Sequence, residues 1–253
     1  MSASPRARLP AGWQAPSDYL RERVVLVSGA AGGLGRASAL ACARAGASVV
    51  LLGRRVARLE KVYDEIVALQ APRPAIYPLD LAGATPRDYA ELAATLEREL
   101  GRLDGIVHAA AHFESLQPAA DIEADEWLRG IHVNVSAPFL LTQACLPLLR
   151  VAAQASVVFV LDDTERMSRA YWGAYGVAKH ALAGLVSILR AEWESTFVRA
   201  HALLPAPMRT RLRGAAYYGE NALDLPLPDA TADAVVYLLG ADGATAQTTL
   251  DLR

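Results

Sequence analysis

Apolar residues along this chain fall into short unbroken runs separated by longer stretches of helical period. The runs at 24–27 (Val-Val-Leu-Val), 48–52, 75–78, 105–108, 156–161 and 199–204 have strand length, and most are apolar throughout. Continuous apolarity marks strands covered on both faces, where alternation would mark strands wet on one side. Between the runs, the spacing predicts helices over 34–45, 56–69, 125–150, 172–196 and 231–239. A further helix opens at Thr85-Pro86, a capping residue followed by proline at the first helical position. A last short strand is expected at 248–252. Strands alternating with helices of this length build βαβ units, so the expected fold class is α/β, a doubly wound parallel sheet flanked by helices. No composition shift divides residues 22–253, whereas residues 1–21 lack periodicity. They are expected to form a loosely attached N-terminal arm, with Trp13 or Tyr19 docking on the domain.

Composition narrows the class. The chain has 253 residues, 53% of them hydrophobic, enough for one α/β domain with a sheet buried on both sides. A net charge of −2 with no long run of one sign leaves no footprint for nucleic acid or an anionic membrane. No run approaches 18 apolar residues and nothing resembles a signal peptide, so a cytoplasmic protein is expected. Cys42 and Cys145 lie in apolar helical stretches and read as core residues. His108 and His112 straddle a strand end without a cysteine or acidic cluster beside them, and no metal is expected.

Candidate chemistry begins after the first strand. Gly29-Ala-Ala-Gly-Gly33-Leu34-Gly35 places glycines at G-x-x-x-G-x-G spacing between a strand and a helix. Such glycines let backbone approach a pyrophosphate, which then rests on the helix N-terminus. No Lys-Ser/Thr follows, which argues against a P-loop. About twenty residues on, where a carboxylate would grip a ribose 2′-hydroxyl, the chain reads Leu52-Gly53-Arg54-Arg55. Arginine suits a 2′-phosphate, so NADP is expected over NAD.

The second constellation is Tyr175-Gly-Val-Ala-Lys179. At i and i+4 on a helix the two side chains share a face, roughly 5–6 Å apart at Cβ. An ammonium there favours the phenolate and should draw the phenol pKa down from near 10, making a general acid/base for carbonyl or alcohol chemistry. Lys61 and Lys179 are the only lysines beside many arginines. Further back, Pro138 has no N–H to give the carbonyl of Asn134, its i−4 partner, which leaves that carbonyl open to a water or simply kinks the helix.

Gly29/Gly33/Gly35, Asp80-Leu81, Asn134 and Tyr175-x-x-x-Lys179, in this order over almost the whole chain, resemble the short-chain dehydrogenase/reductase family. The runs 49–54, 103–105 and 172–175 look most like its YciK-like oxidoreductases. The resemblance implies a single-domain Rossmann fold with seven strands in the order 3-2-1-4-5-6-7. It implies hydride transfer between NADP and a carbonyl/alcohol substrate. In it Tyr175 is the acid/base, Lys179 tunes it and binds the nicotinamide ribose, and Asn134 supports a water-linked proton path. Ser28, Gly29, Gly33, Leu34, Gly35, Arg54, Asp80, Leu81, Ala109, Ala110, Pro205 and Thr210 would line the cofactor, Thr210 holding the nicotinamide amide. A homodimer or homotetramer built on the 125–150 and 172–196 helices is implied as well.

The chain also departs from that pattern. Thirteen residues before Tyr175, where the family has a carbonyl-polarising serine, stands Asp162. An ionised carboxylate cannot donate to a carbonyl oxygen, and it opposes a phenolate. Thr164 offers a hydroxyl two residues on. Beside Asp163, one of the two carboxyl groups should have its pKa pushed up. Asn-Asn-Ala-Gly has become His108-Ala-Ala-Ala111, and Pro-Gly has become Pro205-Ala206. An oxidoreductase with an altered site is therefore expected, and a catalytically weak or inactive dinucleotide-binding or interaction protein is the alternative.

Overall fold

The computed structural model describes residues 6–242 and 249–253. Its parallel sheet has eight strands: β1 (Arg6–Ala7), β2 (Val24–Ser28), β3 (Ser48–Gly53), β4 (Ala75–Pro78), β5 (Gly105–His108), β6 (Ala155–Val160), β7 (Val198–Leu204) and β8 (Thr249–Asp251). They stand in the order β1-β8-β7-β6-β5-β2-β3-β4. Setting β1 aside, this is the expected order. From β2 the chain builds outward through β3 and β4, then returns to place β5 on the other side of β2. The crevice beyond the carboxyl ends of β2 and β5 is thus a topological switch point, where such sheets take their ligands.

Strand side chains divide between two cores. Val25 and Val27 point to the face covered by α1 (Gly33–Arg44), α2 (Val56–Ala68) and α9 (Asp229–Leu239). Val24 and Leu26 point to the opposite face, under α3 (Pro86–Leu100), α5 (Ala137–Val151) and α7 (Gly173–Glu192). Burial on both sides is why the strands read as unbroken apolar runs. Cys42 belongs to one core and Cys145 to the other, and burial pushes each thiol up to about 12. The α3 helix starts as expected, with a capping box in which Thr85 and Asp88 satisfy each other's backbone.

Three differences from expectation bear on the site. First, the described part of the arm, residues 6–21, is held against the domain by more than the expected docking of Trp13 or Tyr19. Arg6 and Ala7 add an eighth strand beside β8, Leu20 is fully buried, and Trp13 packs edge-on against Tyr19 and Tyr237. A two-residue strand is too short to show a period in sequence. Second, the 125–150 helix is a composite. The α4 helix (Ala124–Ile131) passes through a π turn, His132–Ser136, into α5. Pro138 is thus accommodated by a widened turn rather than a kink. The whole helix, Ala124–Val151, is long and apolar enough by length and composition to cross a membrane, but Leu141, Cys145 and Leu149 are core residues under the sheet. Third, two short helices that the periodicity does not show, α6 (Thr164–Met167) and α8 (Arg211–Ala216), follow β6 and β7. The last strand was expected to start at Thr248, which lies outside the described residues.

Candidate active site

A cavity of about 460 Å³ occupies the switch-point crevice, lined from Gly29 and Arg54 at one end to Asp162, Tyr175 and Lys179 at the other. Its floor is the β2–α1 turn. Gly29 has φ +69°, and a Cβ there would meet the Ala110 backbone at 2.8 Å. A Cβ on Gly35 would run into the Gly29 carbonyl. No side chain caps the start of α1 at Gly32, so its first N–H groups are left for an anion. Beneath the turn, the Ser28 hydroxyl donates to the Val107 carbonyl and accepts from the Ala110 N–H, both at 3.3 Å, which ties β2 to the Ala109–Ala110 segment.

At the outer end, Arg54 lines the cavity with Arg55 and Arg58. Among the described residues none of these three guanidinium groups has a hydrogen-bond or ion-pair partner. Arg58 went unread in the sequence; it stands in the first turn of α2, whose N-cap is Arg55, while Arg54 lies just after β3. Asp80 and Leu81 lie nearby, with the Asp80 carboxylate accepting the Ala82 N–H at 3.1 Å. Pro205, Ala206 and Thr210 close the opposite wall. The Thr210 hydroxyl caps α8 by accepting from the Arg213 N–H at 3.1 Å, so its own proton remains to give. Leu34, Ala109, Ala110 and Ala111 line the cavity as well.

The reactive end differs from expectation in sign. Tyr175 sits on the first turn of α7, 6% exposed, and its hydroxyl donates to Asp162 Oδ2 at 3.0 Å. Burial above all, then the Asp162 charge and the hydrogen bond to it, raise this phenol well above 10. The expected lowering by Lys179 does not occur. The lysine Nζ is held by the Val160 carbonyl at 2.8 Å and lies 5.4 Å from the tyrosine ring centroid. Burial lowers the ammonium to about 8, against the pull of Asp162.

Asp163 does not carry the raised pKa expected of one carboxyl in the Asp162/Asp163 pair. Asp163 caps α6, its side chain accepting from the Glu165 and Arg166 N–H groups, and it pairs with Arg253. Partial burial would raise its pKa, but the Arg166 N–H, the Arg253 guanidinium and the Glu165 N–H outweigh it and hold the carboxyl below its usual range. Thr164, the alternative hydroxyl, is taken up as the first residue of α6 and does not line the cavity. The donor of the usual serine therefore has no replacement on this strand end.

Asn134 lies in the π turn, 1% exposed, with its side chain committed to backbone groups. Its Nδ2 donates to the carbonyls of Gly130 and His112 at 2.8 Å, and its Oδ1 accepts the His112 N–H at 2.9 Å. It braces the segment that follows β5. His108 is a neutral core residue, lowered to about 3 by burial, stacked on Phe159 and bonded to Thr142. His112 does have acidic company: its Nε2 meets Glu126 at 2.8 Å, and Glu114 completes a cluster within 4.8 Å. Sequence spacing hid this because Glu126 comes from α4.

With this geometry in view, the comparisons agree. Residues 23–220 match the family model described as short chain dehydrogenase. The chain is 34% identical over 230 residues to the uncharacterized oxidoreductase YciK of Escherichia coli K12, covering 91% of each. Among solved structures, a short chain dehydrogenase from Pseudomonas syringae superposes with a TM-score of 0.92 at 42% identity, covering 95% of this chain and 98% of that one. A short chain dehydrogenase from Shigella flexneri 2a, solved in complex with NADP, superposes with a TM-score of 0.89 at 33% identity, covering 93% and 99%. A doubly wound sheet, a glycine turn under an open helix end and a buried Tyr/Lys pair at one crevice thus coincide with similarity over nearly the full length, and the chain belongs to the short-chain dehydrogenase family of oxidoreductases.

Proposed function

We propose that this protein is an NADP-dependent oxidoreductase that passes hydride between C4 of the nicotinamide and a carbonyl/alcohol carbon beside Tyr175. The observation that carries the cofactor choice is the cluster of Arg54, Arg55 and Arg58 at the cavity's outer end, with no carboxylate at the end of β3 to take a ribose hydroxyl. The NADP complex of the Shigella relative supports the same reading. The chain's residues fit the dinucleotide: α1 would hold the pyrophosphate, Asp80 and Leu81 the adenine, and Lys179 the nicotinamide ribose. The bound nicotinamide supplies or accepts the hydride. Tyr175, protonated and buried, would handle the substrate proton, and Asn134 would keep the neighbouring segment in place.

A second reading is kept by one observation. The Tyr175 hydroxyl already donates its hydrogen bond to Asp162, so the usual pair of donors toward a carbonyl oxygen is missing. A weakly catalytic, dinucleotide-binding member of the family would have this arrangement. Titration of NADPH and NADH against tryptophan fluorescence tests the cofactor assignment. NADPH should bind more tightly, and Arg54→Ala should weaken NADPH about ten- to a hundredfold while leaving NADH nearly unchanged. Equal losses for both would remove it.

A further inference from the structure

We infer that the acceptor this site is built to reduce is a C=N bond with a protonated nitrogen, an iminium, in preference to a neutral ketone. The inference rests on the hydride-transfer reading above and goes beyond it by naming a different acceptor. Its ground is the state of Asp162. The carboxylate lines the reactive end of the cavity, yet among the described residues it forms no ion pair. Its contacts are the Tyr175 hydroxyl at Oδ2 and the Asp163 N–H at Oδ1, 2.7 Å away. An ionised carboxylate has about four acceptor positions, so capacity remains for one more donor.

Three of the cations lining the cavity are committed elsewhere. Lys179 is tied to the Val160 carbonyl, Arg213 is bidentate to Glu220, and Arg166 lies between Tyr217 and Asp163. A carbonyl oxygen placed beside Tyr175 would meet an acceptor where it needs a donor. As hydride arrives, its growing negative charge would face a carboxylate in a cavity with apolar walls such as Val160, Leu161 and Met208. An iminium reverses both terms. Its N–H⁺ is the donor that Asp162 lacks, and the negative charge favours the protonated imine, which is the electrophilic form.

The step balances. The imine nitrogen takes a proton from solvent. Hydride leaves C4 of the reduced nicotinamide with its electron pair and forms the new C–H bond. The C=N π pair becomes the nitrogen lone pair, and the products are an amine and oxidised nicotinamide.

The test compares methylpyrroline, a cyclic imine, with methylcyclopentanone, its ring-matched ketone, using NADPH and wild type, Asp162→Asn and Asp162→Ser. Quenching of tryptophan fluorescence by NADPH checks that each variant is folded. Wild type should show the higher kcat/KM on the imine. Asp162→Asn should lose imine turnover, and Asp162→Ser should shift the imine-to-ketone ratio toward ketone by about 10²-fold, the worth of one stabilising donor. Ketone turnover by wild type that equals or exceeds imine turnover overturns the inference and leaves the hydride-transfer reading standing. A ratio unchanged in Asp162→Ser overturns it too. NADPH binding without turnover of either compound by any of the three proteins overturns the inference and counts against the hydride-transfer reading, in favour of the binding-protein one.

Discussion

At the scale of single residues, the meeting of Tyr175 and Asp162 decides what the site can do. The Tyr-x-x-x-Lys spacing was legible, and so was the absence of serine at 162. The direction of the tyrosine shift was not, because it depends on where the lysine nitrogen ends. A helix brings Tyr175 and Lys179 to one face, but the ammonium donates to the Val160 carbonyl while the phenol hydroxyl donates its hydrogen bond to Asp162. Burial and a neighbouring anion both favour the neutral phenol. In the protein without cofactor, the phenolate should therefore appear only well above pH 10, and Asp162→Asn should bring its titration down. Ultraviolet difference spectra of both proteins, with Tyr175→Phe to assign the signal, make the comparison. A wild-type Tyr175 that ionises below pH 10 would contradict this account of the pair.

At the scale of elements, the glycine turn and the α6 cap can each be perturbed. Gly29→Ala places a Cβ against the Ala110 backbone at a φ that L side chains rarely adopt. It should cost on the order of 1–3 kcal/mol in unfolding free energy and remove the stabilisation that NADPH confers on the wild type. Thermal unfolding with and without NADPH measures both. Asp163→Ala removes the cap of α6, and should cost about 1 kcal/mol in denaturant unfolding. Long elements were legible because burial on both faces writes itself as unbroken apolar runs. The short ones were hidden for physical reasons. The β1 strand has two residues, and α6 is a single capped turn after a strand, where Asp163 reads as well for a loop. The loss of Thr164 as a candidate donor follows from that missed turn.

At the scale of the whole molecule, the parallel α/β sheet followed from the alternation of runs and helices, and the strand order from the family resemblance. In the arm only the docking of Trp13 or Tyr19 was expected; its strand and the burial of Leu20 were not, since they gain their meaning from partners far along the chain or across the fold. The side of the sheet carrying α4, α5 and α7 still exposes Leu128 (63%) and Ile188 (56%), with Trp127, Phe139 and Val177 also open. Apolar residues of this size left open on one side fit self-association through those helices, as a dimer or tetramer. Sedimentation at micromolar concentration should show an assembly, and Leu128→Arg with Ile188→Arg should shift it toward monomer. A wild type that sediments strictly as a monomer would exclude the assembly.

The central claim is hydride transfer at Tyr175, and isotope transfer tests it most directly. NADPH carrying deuterium at the transferred C4 position is incubated with the protein and a panel of activated ketones and cyclic imines, and the products are read by mass spectrometry. The account predicts one deuterium on the former C=O or C=N carbon with wild type, and a marked loss on ketones with Tyr175→Phe. Tight NADPH binding with no deuterium in any product would contradict it and favour the binding-protein reading.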